Sequence, residues 1–374
     1  MKSFVSVVLA FVLSFSLCTA VNAEDSLSVP VSASAYVLYC TDNSQVLAGE
    51  NINTKMGMAS TTKIMTALLT LEEAQHNDRV VEFTEEMAAE GSSMYLKKGD
   101  RVRLSDLAAG MMTVSGNDAA NAAAVAIGGS KEGFAALMNK RAEKIGMKNT
   151  NFVTPSGLSD PEHYSTAYDM ALLMSEAMKN EAFAGLTILK SVTVDFVYPE
   201  GQQVTYYNHN KLLSQYAYCT GGKTGYTMST GRCLVTSAEH NGLNLIAVTL
   251  NDRNDWTDHK NLYEKGFAAY KAVGDFEDLS YNLPVAGSDK EYVQVTAPFA
   301  SQVVVKTEEA ERIRCRVYLP PLVFAPVSKS DIVGRVVYTL DSSVVLEYEL
   351  VAQESASYKE CNKLLRFFCQ LFRR

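Results

Sequence analysis

The sequence predicts an α+β chain: a first domain of helices and strands, a small all-β domain after it, and an amphipathic helix at the C-terminus. Three observations carry that expectation. Helix-period segments crowd between residues 60 and 179, and alternating apolar segments dominate from 192 to 250. Beyond Asp275, short β-branched runs separated by Pro, Ser and Asp replace both patterns.

The chain is 374 residues long, enough for two or three folded units with at least one large core. It opens with Lys2, an apolar run from Phe4 to Leu17 and a small-residue cleavage pattern at Val21-Asn22-Ala23. That is the pattern of a secretory signal over residues 1–23, too short for a membrane span, with the mature chain beginning near Glu24. Leu17 stands before Cys18 where a lipoprotein signal would carry a small residue. Losing Lys2 takes the formal charge from −8 to −9, since 33 basic residues then face 42 acidic ones. An acidic exported chain argues against a nucleic-acid partner.

Six cysteines remain after the signal: Cys40, Cys219, Cys233, Cys315, Cys361 and Cys369. They are too few for a disulfide framework at this length and are expected to be mostly free thiols. No C-x-x-C pair occurs and none clusters with the five His, which disfavours zinc.

Residues 33–46 alternate about the turn Thr41-Asp42-Asn43-Ser44, which reads as a hairpin. A helix follows with Ser60 at its entry. Ile64, Met65, Ala67, Leu68, Leu69 and Leu71 make it apolar nearly all round, so it should run through the interior. Helices are expected at 105–113, at 118–127 before Gly128-Gly129, at 131–145 before Gly146, and at 166–179, where Thr166 and Asp169 have capping-box spacing. Strands are expected at 192–198, 203–207, 221–225, 232–238 and 243–250, the last two joined at Asn241-Gly242. A helix over 258–273 should pack back on this sheet and close a domain spanning 24–275.

The second domain, 276–352, carries runs at 292–295, 302–305, 314–318, 334–339 and 343–350. In the final segment, 353–374, Cys361, Leu364, Leu365, Phe368, Leu371 and Phe372 share one helical stripe. Lys359, Lys363, Arg366, Arg373 and Arg374 lie mostly off it, the pattern of a basic helix lying in the surface of an anionic bilayer. Docking on its own domain or on a partner is the alternative reading.

Three short motifs bear chemistry. In Ser60-Thr61-Thr62-Lys63 the i, i+3 spacing sets Lys63 beside Ser60 on one helix face. A serine hydroxyl needs a base within hydrogen-bond reach, and lysine serves only if burial or a second cation favours its neutral form. The interior helix supplies burial and Lys223 a cation. Alone, such a motif is usually a helix-capping serine followed by a surface lysine.

Ser115-Gly116-Asn117 is weaker, since Ser280-Tyr281-Asn282 matches the same pattern and both suit caps or turns. As a functional loop, Ser115 would pass a proton to a leaving amine and Asn117 would hold a peptide bond. Lys223-Thr224-Gly225, preceded by Gly221-Gly222 and followed by Tyr226, admits a ligand backbone, and Lys223 with Thr224 suits a terminal carboxylate. Backbone N–H groups of Ser60 and Tyr226 are the natural donors to a tetrahedral oxyanion. The three motifs in this order are the parts of a serine acyl-transfer site.

With these motifs and the blocks Ala59–Thr66, Ser115–Ala120, Pro155-Ser156-Gly157-Leu158, His163–Ala167 and Gly221–Tyr226, the chain resembles the low-molecular-weight penicillin-binding proteins, the serine D-alanyl-D-alanine carboxypeptidases of peptidase family S11. The resemblance is strong over 31–273 and looser beyond. It implies a β-lactamase/transpeptidase-like domain, with a five-stranded antiparallel sheet flanked by helices and a helical subdomain. A β-rich domain and an amphipathic membrane anchor would follow. Ser60 would form the acyl-enzyme with Lys63 as base, and Ser115 and Asn117 would complete the site. Lys223, Thr224, Gly225, Tyr226 and Arg253 would bind substrate, the last by its reach to the carboxylate. His209 stands where some relatives carry arginine.

The implied reaction removes the terminal D-alanine of peptidoglycan pentapeptide stems without metal or organic cofactor, limits wall cross-linking, and is inhibited by β-lactams. The implied location is the outer face of the cytoplasmic membrane or the wall space. A β-lactamase is disfavoured because no glutamate-bearing deacylation loop is evident and Ser-Gly-Asn replaces S-D-N. A non-catalytic wall-binding scaffold is disfavoured by the intact Ser60, Lys63, Ser115 and Lys223.

Overall fold

The computed structural model describes residues 27–274, 280–297 and 302–359. The signal segment and the stripe of the terminal helix, from residue 360 on, lie outside the described residues.

The chain order is β1 (Ala35–Cys40), β2 (Gln45–Glu50), a 3-10 turn (Ala59–Thr62), α1 (Lys63–His76), β3 (Val80–Glu82), β4 (Arg101–Arg103), α2 (Leu104–Met112), α3 (Asn117–Gly128), α4 (Lys131–Ile145), α5 (Ala167–Met178) and α6 (Glu181–Thr187). Next come β5 (Ser191–Asp195), β6 (Gln203–Tyr207), α7 (Leu212–Gln215), β7 (Cys219–Thr227), β8 (Gly231–His240), β9 (Leu243–Leu250), α8 (Asp255–Ala269) and β10 (Tyr270–Val273). The second domain adds β11 (Ser280–Ala286), β12 (Tyr292–Thr296), β13 (Val303–Lys306), β14 (Ile313–Tyr318), β15 (Val323–Phe324), β16 (Ile332–Leu340) and β17 (Ser343–Ala352).

The first sheet has five antiparallel strands in the order β2-β1-β9-β8-β7, with β7 at one edge. Its strands are apolar on both faces because both are covered. One face packs against α5, behind which α1, α2 and α3 continue the same core through Ile64, Met65, Leu68, Met111, Leu173 and Val248. The other receives α8 through Leu262 and Tyr263 against Leu38, Leu234 and Leu245. The hairpin at Asn241-Gly242 forms as the sequence indicates, with φ of 51° and 78°, the left-handed pair that a tight two-residue turn needs. Ser130 and Thr166 cap α4 and α5 by accepting the Gly133 and Asp169 N–H groups.

The expected helix over 258–273 is shifted. It begins at Asp255 and ends at Ala269, and Tyr270–Val273 form a strand paired with β13 of the second domain. The β-branched and aromatic pairing on β13 overrides the helical period there. Residues 196–198 also leave the expected strand: Phe196 N–H donates to the Gln202 carbonyl, Val197 N–H to that of Arg101, and Arg101 N–H to that of Tyr198. The second domain carries a six-stranded sheet in the order β14-β16-β17-β12-β11-β15. Residues 353–359 stay with it in extended form, bridged at Val327–Ala356 and Ser288–Tyr358.

Candidate active site

The site forms where α1 begins against the sheet's edge strand. Ser60 lies in the 3-10 turn, half-buried, and Ala59 before it holds a φ of 46°, a strained left-handed conformation that turns the chain into the helix. β7 passes this turn so closely that a Cβ on Gly225 would stand 3.0 Å from Met58 O, Ser60 N and Thr61 N. Glycine is what permits that approach. On the other side, a Cβ on Gly157, at φ +83°, would stand 2.0 Å from the Ala59 carbonyl oxygen. The β7 strand and the Gly157 loop thus clamp the turn.

Lys63 is fully buried. Its Nζ lies 3.0 Å from Ser60 Oγ and donates to Asn117 Oδ1 and to the Ser156 carbonyl, each at 2.6 Å. Burial pushes its pKa well below the ordinary lysine range, the charge of Lys223 adds to that, and Asp118 opposes it. A neutral amine has two N–H groups and one lone pair. The two acceptor-only partners take the N–H groups, which leaves the lone pair for the Ser60 O–H.

Asn117 differs from expectation. Its Oδ1 accepts from Lys63 and its Nδ2 donates to the Glu90 carbonyl at 2.6 Å, so most of the amide is spent within the protein. Helix capping is not its role either: Gly116 occupies the N-cap of α3 and no side chain caps it. Asp118 instead pins the 93–96 loop, accepting from Ser93 Oγ and the Met94 and Leu96 N–H groups. Ser115 has a φ of 62°, is 4% exposed, and its Oγ has no hydrogen-bond partner among the described residues. A buried, unpaired hydroxyl on strained backbone marks a group held ready for a ligand. The competing Ser280-Tyr281-Asn282 lies on β11 in the second domain.

Lys223 is also buried, and burial brings its pKa to about 7. Its Nζ donates to the Thr224 carbonyl at 2.8 Å. Thr224 is half-buried and Tyr226 is 65% exposed at the sheet edge. His209 sits after β6, its N–H donating to the Thr113 carbonyl, with its pKa lowered by partial burial and then by Lys223. Arg253 is exposed on the β9–α8 loop next to Asp252, whose N–H donates to the Arg232 carbonyl opposite Tyr226. The structure therefore joins Ser60, Lys63 and Asn117 by direct contact and sets Lys223 within electrostatic reach of them; Arg253 stands on the sheet's rim.

Two contributors carry no role in the sequence reading. Ser156 acts through its carbonyl, which no side-chain pattern reports. His163 Nδ1 accepts from the Val153 and Thr154 N–H groups, so its proton sits on Nε2, 2.8 Å from Thr62 Oγ1. Thr62 in turn donates to the Ala59 carbonyl. This chain ties the turn that carries Ser60 to the loop that supplies Ser156. Burial, above all, lowers the His163 pKa to about 4 and keeps it neutral.

Residues 20–254 match the family model described as D-alanyl-D-alanine carboxypeptidase, and residues 258–357 match that of the penicillin-binding protein 5 C-terminal domain. The chain is 32% identical over 361 residues to the D-alanyl-D-alanine carboxypeptidase DacC of Escherichia coli, covering 90% of this chain and 88% of that protein. It is 29% identical over 337 residues to DacF of Bacillus subtilis, covering 86% and 85%. Among solved structures, penicillin-binding protein 5 of Haemophilus influenzae superposes with a TM-score of 0.67 at 28% identity, over 89% of this chain and all of that one.

Proposed function

The chain belongs to the serine D-alanyl-D-alanine carboxypeptidase family, and from that premise we propose that Ser60 is the nucleophile, Lys63 its base and Ser115 the donor to the leaving amine. The observation that carries this reading is the buried Lys63 amine, 3.0 Å from Ser60 Oγ with both its N–H groups directed at other acceptors. Ser60 Oγ attacks the carbonyl carbon of the D-Ala-D-Ala peptide bond as its proton passes to Lys63 Nζ. The oxyanion is held by the Ser60 and Tyr226 N–H groups across the gap that Gly225 keeps open. Lys63 returns a proton through Ser115 to the departing nitrogen, and free D-alanine leaves. Water then attacks the acyl-enzyme carbonyl as its proton passes to Lys63, and when the ester bond to Ser60 Oγ breaks, Lys63 returns that proton to the oxygen, restoring the hydroxyl and the neutral amine.

Lys223 and Thr224 receive the terminal carboxylate, with Arg253 reaching it from the rim. Asn117 positions Lys63 through Oδ1, and its second N–H remains for the substrate peptide bond. A β-lactam acylates the same hydroxyl. Export through residues 1–23, a catalytic domain of 24–275, a β-rich domain of 276–352 and, of the terminal segment 353–374, the part beyond residue 359 lying on the membrane's outer surface belong to the same proposal, since residues 353–359 stay with the β-rich domain. No helix among the described residues is long and apolar enough to cross a membrane. The test is D-alanine release from a stem pentapeptide with labelled-penicillin capture. Both should vanish in Ser60→Ala; release that survives that change refutes the assignment.

A further inference from the structure

The β9–α8 loop that carries Arg253 is tied to the segment before β1 by a cluster that the acyl-transfer chemistry does not use. Asn251 Nδ2 donates to Ser34 Oγ at 2.9 Å, and one residue on, two carboxyl groups converge on Ser32. Ser32 Oγ lies 2.6 Å from Asp252 Oδ1 and 2.9 Å from Asp258 Oδ2, and the Ser32 N–H donates to the same Asp258 oxygen at 2.7 Å. Both carboxyl groups are buried, Asp252 at 1% exposure.

Counting protons decides what state this geometry represents. A serine hydroxyl has one hydrogen and can donate to only one of the two carboxyl groups. The other contact sets a lone pair of Ser32 Oγ against a carboxylate oxygen, unless that carboxyl carries a proton of its own. Asp252 Oδ2 supports the same count. It is buried with no hydrogen-bond partner among the described residues, and the nearby Thr249 hydroxyl pairs with His259 Nε2. An ionised oxygen in that position is costly. Burial above all, with Asp258 beside it, raises the Asp252 pKa. Asp258 lies in the first turn of α8, where the partly positive helix end suits the charge that remains. The other titratable groups around the pair do not replace the missing proton. Arg232 is paired with Asp255, burial lowers His259 to about 3 and raises Cys233 to about 11, and Arg253 is exposed.

The cluster bears on the site through Arg253. Asp252 Oδ1 also accepts the Asn254 N–H at 2.9 Å, and the Asp252 N–H donates to the Arg232 carbonyl at 2.9 Å, so this one residue fixes the backbone on both sides of Arg253. The Arg253 side chain itself has no hydrogen bond or ion pair among the described residues. Arg232 stands opposite Tyr226 on β7, which leaves two strand spacings, about 10 Å, between the loop and the sheet's edge. Only the loop backbone sets whether the guanidinium crosses that span.

We propose that Ser32, Asp252 and Asp258 form a latch closed by one shared proton, and that this latch positions Arg253 toward the substrate carboxylate. The inference rests on the carboxypeptidase assignment and the Arg253 contact proposed above. Ser32 and Asp252 are positioning residues that touch no substrate.

One arm of the test reads KM for D-alanine release from a stem pentapeptide at pH 6, where Lys223 is charged. Arg253→Gln should raise KM roughly fivefold, the worth of a partly solvated charge pair. Ser32→Ala and Asp258→Asn open the latch in different ways. Each should raise KM by a similar factor with kcat within twofold of wild type, and neither should add to the effect in an Arg253→Gln background. Ser32 is exposed, so Ser32→Thr finds room, keeps the hydroxyl and should show wild-type KM. The other arm reads urea midpoints at pH 4 and 7. The unfolded chain releases the Asp252 proton near the ordinary pKa of about 3.9 and the folded pair holds it higher, so the wild type's margin over Asp252→Asn should shrink as pH rises. A margin that grows or stays level overturns the shared proton. A KM unmoved by opening the latch, or raised equally without Arg253, overturns the positioning and leaves the carboxypeptidase reading intact. No D-alanine from the wild type overturns that reading and the positioning with it.

Discussion

The Lys63 amine and the Ser60 hydroxyl stand 3.0 Å apart, one turn along the same helical segment, with the amine wholly shut off from water. A charged lysine could not take a proton, so the proposed nucleophile–base pairing depends on burial and the neighbouring Lys223 disfavouring the cation. Lys63→Met keeps the side chain's bulk and removes the proposed base. Penicillin acylation and D-alanine release should both fall by about 10²–10⁴-fold, the usual worth of a positioned base. Stopped-flow labelling measures this, and acylation within twofold of wild type would remove Lys63 from the mechanism.

Lys223 has the opposite requirement. In its proposed role it must be charged to receive a carboxylate, yet burial sets its pKa at about 7 in the free enzyme. The kcat/KM for a carboxylate-ended peptide should therefore decline above about pH 7, approaching tenfold per unit. Arginine keeps its charge throughout this range. Lys223→Arg should retain part of the activity and lose the alkaline decline, whereas a decline that persists in this variant would place its origin elsewhere.

The same burial costs stability. The unfolded chain holds the Lys223 proton up to about 10.4 and the folded chain only up to about 7, so the unfolded state binds more protons between those values. Wild-type stability relative to Lys223→Met should accordingly be lowest below pH 7 and rise from 7 toward 10. At pH 6.5 the variant should be the more stable protein by about 1–3 kcal/mol, as expected when a buried charge gives way to an apolar chain. Urea midpoints at pH 6.5 and 9.5 test the sign; a gap that widens with pH contradicts it.

How much of this was legible in the sequence follows from how local each relation is. The Ser60–Lys63 contact spans three residues and follows from helical spacing alone. The Asn241-Gly242 turn and the caps at Ser130 and Thr166 are equally local. Lys223 joins the site only through sheet order, which no periodicity states; motif order stood in for it. The Ser156 carbonyl and the His163–Thr62 link were not legible, because one is backbone and the other spans 101 residues. The Tyr270–Val273 strand was missed since its partner, Val303–Lys306, lies in the next domain.

The His163–Thr62 link makes the turn that carries Ser60 sensitive to acid. His163 is neutral when folded, with a pKa of about 4, and ordinary when unfolded, near 6.5. The unfolded state thus binds the extra proton between those values, and the stability His163 contributes is complete above pH 6.5 and lost as pH falls toward 4. His163→Gln cannot titrate, so its stability should depend less on pH over that interval. The variant should also be less stable at pH 7 by about 1–3 kcal/mol, because the Val153 and Thr154 N–H groups lose their acceptor geometry. If the link positions the nucleophile rather than merely bracing the fold, kcat for D-alanine release must drop while KM stays near wild type, since Lys223 and Thr224 are untouched. A rise in KM alone, or an unchanged acid slope in the variant, would sever His163 from the Ser60 turn.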